Sequence, residues 1–522
     1  MCGMHALATA EIADLPRDVD ALIAIILEQR RQYSAVLESL RQQLAKLKQI
    51  TFGSRSERLS LSGQALLFSG SLPIPVPKEE VAATTHVAAH ERKRRPGRPA
   101  LPADLPRVRQ DYDLTDEQKA GFDRLVRIGE VVCSTLDVIP QKVFVIDHVR
   151  AKYRAAKDGR ISIVVADAQP SPLAKSNASA GTLAHVLVST YADGLPLTRQ
   201  ERIFARHGIT LSKQTLCDWK LGSAEKLALL MPVLKQHVLG APVLFADDTT
   251  LKLLEKGRPT ARTARLWTYV SDGARQDAEG RWRHYPRAAY FEFTTTREAI
   301  HPSRFLKKYY GFLQADDYSG YHATFRTGRV QHCLCWAHVR RRYVDIAREP
   351  GASPLAAEAL QFIGRIYRIE SRLKYAPPDE RRAVRQAETV PLLVHFRAWL
   401  DAHYPSLLPR SALGQAFAYT LSNWAALLRF TDDGILAPDS NLVERSIRPV
   451  AVGRKAWLFA ASERGGQAAA VVFSLIESCK LVGVEPYAYL RDVLQRIDQH
   501  RVDRLTELLP FNWKPSSELH SV

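Results

Sequence analysis

The sequence predicts an α/β protein whose strand-rich core is interrupted by a helical insertion. Three observations point there. Between residues 241 and 349, short apolar runs of strand length alternate with helical stretches in the order three strands, helix, strand, helix, strand. From Leu355 to Phe430 the period is helical, charge is dense and strand-forming runs are scarce. Ahead of both, apolar residues at heptad spacing begin at Ile23, and two short helical patterns flank His207-Gly208.

At 522 residues and 46% hydrophobic, the chain suffices for several domains with substantial cores. Its formal charge of +18, from 73 Lys and Arg against 55 Asp and Glu, favours a polyanionic partner, either nucleic acid or an anionic membrane. The membrane is the weaker alternative. No apolar run approaches the roughly 20 residues that span a bilayer, and the N-terminal residues show no basic segment followed by an apolar core and a cleavage site. A cytoplasmic protein is therefore expected. The six cysteines, Cys2, Cys133, Cys217, Cys333, Cys335 and Cys479, are too few and too scattered for a disulfide framework and are expected to be reduced.

Residues 1–60 read as an oligomerisation helix. Ile23, Leu37 and Leu44 occupy one seam position and Ile26, Tyr33, Leu40 and Leu47 the other, with Arg30 interrupting the first series. The pattern fits a coiled coil and hence a homo-oligomer, and it equally fits a helix packed on its own protein. Residues 61–120 read as a basic, Pro-rich linker. Within it, prolines keep Arg92-Lys-Arg-Arg-Pro-Gly-Arg-Pro99 out of a helix, so its cations suit phosphates or a minor groove, or simply solvent.

Residues 121–175 read as a small module with strands at 143–146 and 161–165, joined by the turn Lys157-Asp-Gly-Arg160. In residues 176–240, Thr198 and Glu201 make a capping-box start for a helix ending at Arg206. His207-Gly208 breaks it, and Ser212 caps a second helix running through Trp219. A helix-turn-helix needs this arrangement and would begin its recognition helix with Lys213, Gln214 and Thr215; any helical hairpin shares the spacing.

Residues 241–349 supply strands at 243–247, 265–270 and 288–294, a helix at 302–309, a strand at 311–315 and a short helix at 318–325. A strand at 330–335 and a helix at 337–348 follow. This is the order of a ribonuclease H-like core that lacks its last helix. The helical insertion, 350–435, separates it from residues 436–484, where that helix belongs. Residues 485–522 hold one more helix, 487–499, and a polar, poorly patterned tail.

The last core helix starts near Ser440 or Asn441 and carries Glu444 in its first turn, with Arg445, Arg448, Arg454 and Lys455 behind. Asn441 and Glu444 also fit a capping box, in which the acid only closes the helix end. Asp247 and Asp316 each end an apolar strand run. Three carboxylates on different elements of one sheet can hold two hard divalent cations through oxygen. Such a pair activates a water or hydroxyl and steadies the leaving oxygen of a phosphodiester, with the helix cations on DNA phosphates. For one acid alone a turn or cap is the ordinary role; the coincidence of all three with the strand order makes them a set.

These residues carry a resemblance. The runs Phe245-Ala-Asp-Asp-Thr249, Leu313-Gln-Ala-Asp-Asp-Tyr-Ser-Gly-Tyr321, Cys335-Trp-Ala-His-Val-Arg-Arg-Arg-Tyr343 and Asn441-Leu-Val-Glu-Arg-Ser-Ile-Arg-Pro-Val-Ala-Val-Gly-Arg-Lys-Ala-Trp-Leu-Phe459 are long and specific. The chain resembles, along nearly its whole length, the transposases of the IS66 family of bacterial insertion sequences. The likeness includes the coiled coil with Phe52-Gly-Ser-Arg-Ser-Glu57, the region from Tyr191 to Trp219, and Leu508-Leu-Pro-Phe-Asn-Trp513. It implies a DDE enzyme with Asp247, Asp316 and Glu444 as catalytic acids and metal ligands, and two divalent cations, magnesium expected. Element ends and target DNA would be its partners, along with small accessory proteins of the same element, and it would associate with the nucleoid when bound. A DNA-binding protein or repressor without catalysis and a nuclease that cuts without joining are the competing readings.

The chain also departs from the family. Asp248 stands where relatives usually have Glu and Asp317 where they often have a small residue, so each competes for a ligand role; Asp247 and Asp316 match the catalytic positions. Relatives usually carry a cysteine-rich zinc segment shortly after a His-Val-Arg-x-Lys-Tyr run. Here His148-Val-Arg-Ala-Lys-Tyr153 continues as Arg154-Ala-Ala-Lys-Asp158, without thiolates, so the module is expected to keep its fold without zinc or to fold poorly. Cys335-x-x-His338 resembles a signature between the family's second and third acids. With His332 and Cys333 alongside, its spacing is too cramped for a closed four-ligand zinc site, which favours a structural or DNA-positioning role.

Overall fold

The computed structural model describes residues 143–157, 160–165, 171–174, 176–255, 257–349 and 353–516, with isolated positions between 18 and 33. Those isolated positions include helical Ile23, Leu27 and Tyr33, whose side chains are exposed. The rest of the heptad region, the linker with its basic run at 92–99, and residues 121–142 lie outside the described residues.

The chain divides into two units, of which one, residues 73–168, contains a two-stranded hairpin. Its strands are β1 (Lys152–Lys157) and β2 (Arg160–Val165), antiparallel from Lys152↔Val165 to Lys157↔Arg160. The strand expected at 143–146 is non-repetitive chain instead. The turn explains the correction. A two-residue connection pairs Lys157 with Arg160, so the partner of 160–165 is the six residues ending at Lys157, and 143–146 is out of reach.

The other unit comprises residues 1–72 and 169–522, and its part from residue 169 begins with four helices, α1 (Ala180–Tyr191), α2 (Leu197–Arg206), α3 (Lys213–Leu227) and α4 (Met231–Leu239). Ser212 caps α3 as its sequence suggests, accepting the Thr215 N–H at 3.1 Å. The expected capping box of Thr198 and Glu201 is not formed. Helix α2 starts one residue ahead of Thr198, with Pro196 at its cap and no side-chain cap bond; the Pro196 carbonyl accepts the N–H groups of Arg199 and Gln200. The break between α2 and α3 uses Gly208 at φ +76°, a conformation open to glycine.

The central sheet orders its five strands as residues 289–294, 262–272, 243–253, 311–314 and 330–333. Strand β3 (Val243–Leu253) pairs antiparallel with β4 (Arg262–Asp272) over eleven residues. A small hairpin, β5 (Ala274–Gln276) and β6 (Trp282–His284), unforeseen in the sequence, precedes β7 (Ala289–Thr294). After helix α5 (Ile300–Phe305), β8 (Gly311–Gln314) runs parallel to β3. Helix α6 (His322–Phe325) then leads to β9 (Val330–Cys333), parallel to β8, and on to α7 (Trp336–Ala347). Val243, Leu244, Phe245 and Ala246 are all buried, as a central strand covered on both faces requires.

The insertion is helical throughout: α8 (Pro354–Arg372), α9 (Pro378–Val384), a π-helical turn (Arg385–Thr389), α10 (Val390–His403), α11 (Ala412–Ser422) and α12 (Trp424–Leu428). Arg385 in the π turn is buried. It forms a two-pronged pair with Glu370 (2.9 and 2.8 Å) and donates to the carbonyls of Phe430, Asp433 and Leu436 at 2.8, 3.2 and 3.0 Å. One guanidinium thus grips the segment that returns the chain to the sheet.

That segment enters α13 (Asn441–Trp457), followed by α14 (Glu463–Leu481) and α15 (Pro486–Arg496). Helix α14 covers β7, an edge strand whose free backbone groups would otherwise be exposed for pairing. Ser474 accepts the Phe291 N–H and Ser478 the Ala289 N–H, at 2.8 and 2.9 Å. The approach is so close that a Cβ on Gly466 would meet Phe293 at 2.4 Å. The C-terminal segment read as poorly patterned also packs, since Leu505, Leu508 and Leu509 are buried and Trp513 donates to Asp492 at 2.6 Å. Among the described residues, no helix is long and apolar enough to cross a membrane.

Candidate active site

The sheet register sets two carboxylates beside one another. Parallel pairing of β3 with β8 ends at Phe245↔Gln314; Asp247 lies two residues further along β3, and Asp316 lies two residues further in the loop that leaves β8. Ligand sites in such sheets form beyond the C-terminal ends of parallel strands. Glu444 reaches this end from α13. Its approach is fixed from below by Gln314, a fully buried side chain that donates to the carbonyls of Ala437 and Asp439 at 2.8 and 2.9 Å. Trp336 N–H also holds the Pro438 carbonyl at 2.9 Å. Gln314 therefore ties the strand that carries Asp316 to the loop that launches Glu444. Sequence reasoning passed over it, although it lies inside the run Leu313–Tyr321.

Asp247 senses the charges of the other two acids. Burial, followed by the charges of Asp316, Asp248 and Glu444, pushes the Asp247 carboxyl up to about 7, opposed by the Asp248 N–H that it accepts at 2.7 Å. Burial also raises Asp316, against the favourable influence of His338, the Tyr318 N–H and Arg297. Glu444 has only loose polar contacts: Ser440 Oγ at 3.5 Å, His338 Nε2 at 3.7 Å and Arg341 Nη2 at 3.7 Å. Hard oxygen donors that repel one another and lack close cationic partners fit divalent cations, which would relieve that repulsion.

The neighbouring acids are engaged elsewhere. Asp248 points to the opposite face of β3, where its side chain, 5% exposed, pairs with Arg265 and Arg297, each at 2.8 Å. Asp317 is exposed and contacts His322 and Asn423. The expected cap is corrected too: Asn441 is the first helical residue of α13, Ser440 precedes it without a side-chain cap bond, and no capping box forms.

A cleft of about 710 Å³ opens beside Asp316 and His338, lined by Arg297, Arg341, Arg342, Tyr318 and Tyr419. Arg297 stacks on Tyr318 and Arg342 on Tyr419, 4.3 and 3.9 Å from the ring centres. His338 and Arg341 share a face of α7 at i, i+3 spacing, a signal present in the Cys335–Tyr343 run. Of the cations on α13, Arg445, Arg448 and Lys455 are exposed. Arg454 is bound instead to β3, where Nη1 donates to Thr249 Oγ1, Thr250 O and Thr250 Oγ1 at 2.8 to 2.9 Å. That use makes it a strut between helix and sheet. Lys213 and Gln214 are exposed and Thr215 half-buried in the first turn of α3. This helix packs on α1 and α14, apart from the cluster of acids. Cys335 ends up buried at the start of α7, accepting the Ser440 N–H at 3.1 Å.

The profile of the Transposase IS66 family matches residues 175–468, which include all three acids. The IS66 C-terminal element matches 474–511, and a profile described as Transposase C of IS166 homeodomain matches 39–109. Two uncharacterized proteins of Sinorhizobium fredii (strain NBRC 101917 / NGR234), y4jD and y4hP, are each 34% identical to this chain. The alignments cover 96% and 92% of it and 97% and 89% of theirs. A third from the same strain, y4qI, is 32% identical over 97% of this chain and 99% of its own. By the profile match and by these relatives, the chain belongs to the IS66 transposase family.

Proposed function

We propose that this transposase cleaves phosphodiester bonds at the ends of its element and joins the freed 3′-hydroxyl to target DNA, using Asp247, Asp316 and Glu444. The observation that carries the reading is the convergence of these acids at one end of the sheet, where burial raises Asp247 and the charges of Asp316 and Glu444 add to it. The strand order β7-β4-β3-β8-β9, antiparallel then parallel, supports a ribonuclease H-like core.

The three carboxylates would hold two divalent cations, magnesium in this reading. When bound, the cations supply activation of the attacking oxygen and neutralise charge on the leaving one. In the first step a water oxygen bonds to phosphorus, the bond to the 3′ oxygen breaks, and a 3′-hydroxyl results. In the second, that hydroxyl attacks a target phosphodiester and releases a new 3′-hydroxyl. Arg297, Arg341 and Arg342 would hold phosphates along the cleft, with Arg445, Arg448 and Lys455 extending the track. The first turn of α3, with Lys213, Gln214 and Thr215, would contact duplex DNA as part of a helix-turn-helix. Residues 1–60 would bring copies together, so that two ends are handled by one assembly.

The test is incubation of the full chain with labelled element-end duplex, target plasmid and magnesium. Cleaved ends and joined products are expected, both lost on chelation. Binding without cleavage would replace this reading with that of a DNA-binding repressor, and cleavage without joining with that of a nuclease.

A further inference from the structure

Cys335, His338 and Glu444 each offer one ligand atom, a sulfur, an imidazole nitrogen and a carboxylate oxygen, and the three atoms lie within 4.8 Å of one another. The Cys-x-x-His spacing supplies two donors from the start of α7. The third comes from the first turn of α13, which the Gln314 and Trp336 contacts bring alongside. The cramped pair read in the sequence is therefore completed from another element.

The sulfur and the imidazole suit a softer cation than magnesium, and the carboxylate accepts either. Burial pushes the Cys335 thiol up to about 11, against the Ser440 N–H that points at its sulfur and the α7 N-terminus it caps; a soft cation bound to the sulfur would displace the proton. Among the described residues buried His338 Nδ1 has no hydrogen-bond partner, and Nε2 lies 3.7 Å from Glu444 Oε1, so neither ring nitrogen is held in a close hydrogen bond. The Glu444 carboxylate has no polar contact among the described residues closer than 3.5 Å. Magnesium rejects thiolate, whereas zinc takes Cys, His and carboxylate together and leaves a fourth position open when the protein supplies three ligands. Ligand atoms around tetrahedral zinc stand roughly 3.3–3.8 Å apart, so side-chain shifts of about 1 Å would close the site.

We propose that Cys335, His338 and Glu444 form a zinc-class site that shares Glu444 with the catalytic acids, so that zinc and the magnesium pair compete for one carboxylate. Binding forms a sulfur–zinc bond, breaks the S–H bond and releases that proton to solvent. The competition rests on the assignment of Glu444 above; the site itself does not. The ordinary alternative is a buried thiol at a helix start beside a weak imidazole–carboxylate contact.

Cobalt(II) titration of the metal-free full chain separates the two. One equivalent is expected to produce the near-ultraviolet thiolate-to-cobalt band, which added zinc removes. The band is expected to vanish in Cys335→Ser and in His338→Gln, both checked for folding by circular dichroism. A wild type without the band, or a band that survives both substitutions, would overturn the site. In magnesium-dependent cleavage, zinc is expected to inhibit wild type at a concentration at least about tenfold below that needed for Cys335→Ser. Equal inhibition would overturn the competition. If wild type does not cleave at all, the proposed function fails while the cobalt spectrum still decides the site.

Discussion

Asp247 and Asp248 are neighbours in one strand with opposite surroundings. Strand alternation turns Asp247 toward Asp316 and α13, and Asp248 toward Arg265 and Arg297. The consequence for Asp247 is a pH effect with a definite sign. Its folded value near 7 lies above the ordinary 3.8, so the folded state keeps a proton that the unfolded chain has lost. Metal-free protein should lose stability as pH rises from about 4 to 7 and level off above that window. Thermal melting across this range should show the decline in wild type and its absence in Asp247→Asn. Magnesium should raise the wild-type melting temperature more at pH 8 than at pH 5. The sequence alone did not separate the two aspartates, because which face each occupies depends on a register set by β4 and β8; family position chose Asp247. Asn441 shows the reverse error. It looks like a cap, but Ser440 takes the cap position because the loop before it is pinned by Gln314 and Trp336.

At the level of elements, the insertion was legible as helices and its work was not. Arg385 is one of many arginines in a charged stretch, and only the fold shows that it grips the return segment through Glu370 and three carbonyls. Arg385→Met should cost about 3–5 kcal/mol, because it leaves Glu370 and the carbonyls without their donor. Denaturant unfolding is the measurement, and pairing it with Glu370→Leu should recover only part of the loss. The end of α13 stores strain of a different kind. Leu458 sits at φ 65° and ψ −47°, and the Phe459 N–H reaches back to the Trp457 carbonyl at 2.8 Å, which makes a γ-turn of the strained hand. This turn delivers Ala460 to pair with the far end of β3. Leu458→Gly should raise stability by about 1 kcal/mol, since the side chain is mostly exposed and glycine accepts the conformation. The misplaced strand at 143–146 belongs to this scale as well: apolar β-branched residues were visible, but β2 pairs with the six residues that end at Lys157.

Over the whole molecule, apolar runs gave the order of the five central strands and their helices from 243 to 347, and missed the small β5–β6 hairpin. Strand neighbours could not be read from them, and neighbours are what bring Asp247, Asp316 and Glu444 together. The excess of cations predicts a salt-dependent partner. If Arg341 and Arg342 each meet a phosphate, alanine at either should weaken binding across all DNA sequences and reduce the slope of log affinity against log salt by about 1. Fluorescence anisotropy at several salt concentrations measures this.

The convergence of the three acids is tested most directly by single-turnover cleavage of an element-end duplex in magnesium, comparing wild type with Glu444→Gln at matched DNA occupancy. A loss on the order of 10³-fold in rate, with DNA affinity retained, is predicted for the removal of one metal-holding carboxylate. Cleavage by Glu444→Gln at the wild-type rate would contradict it.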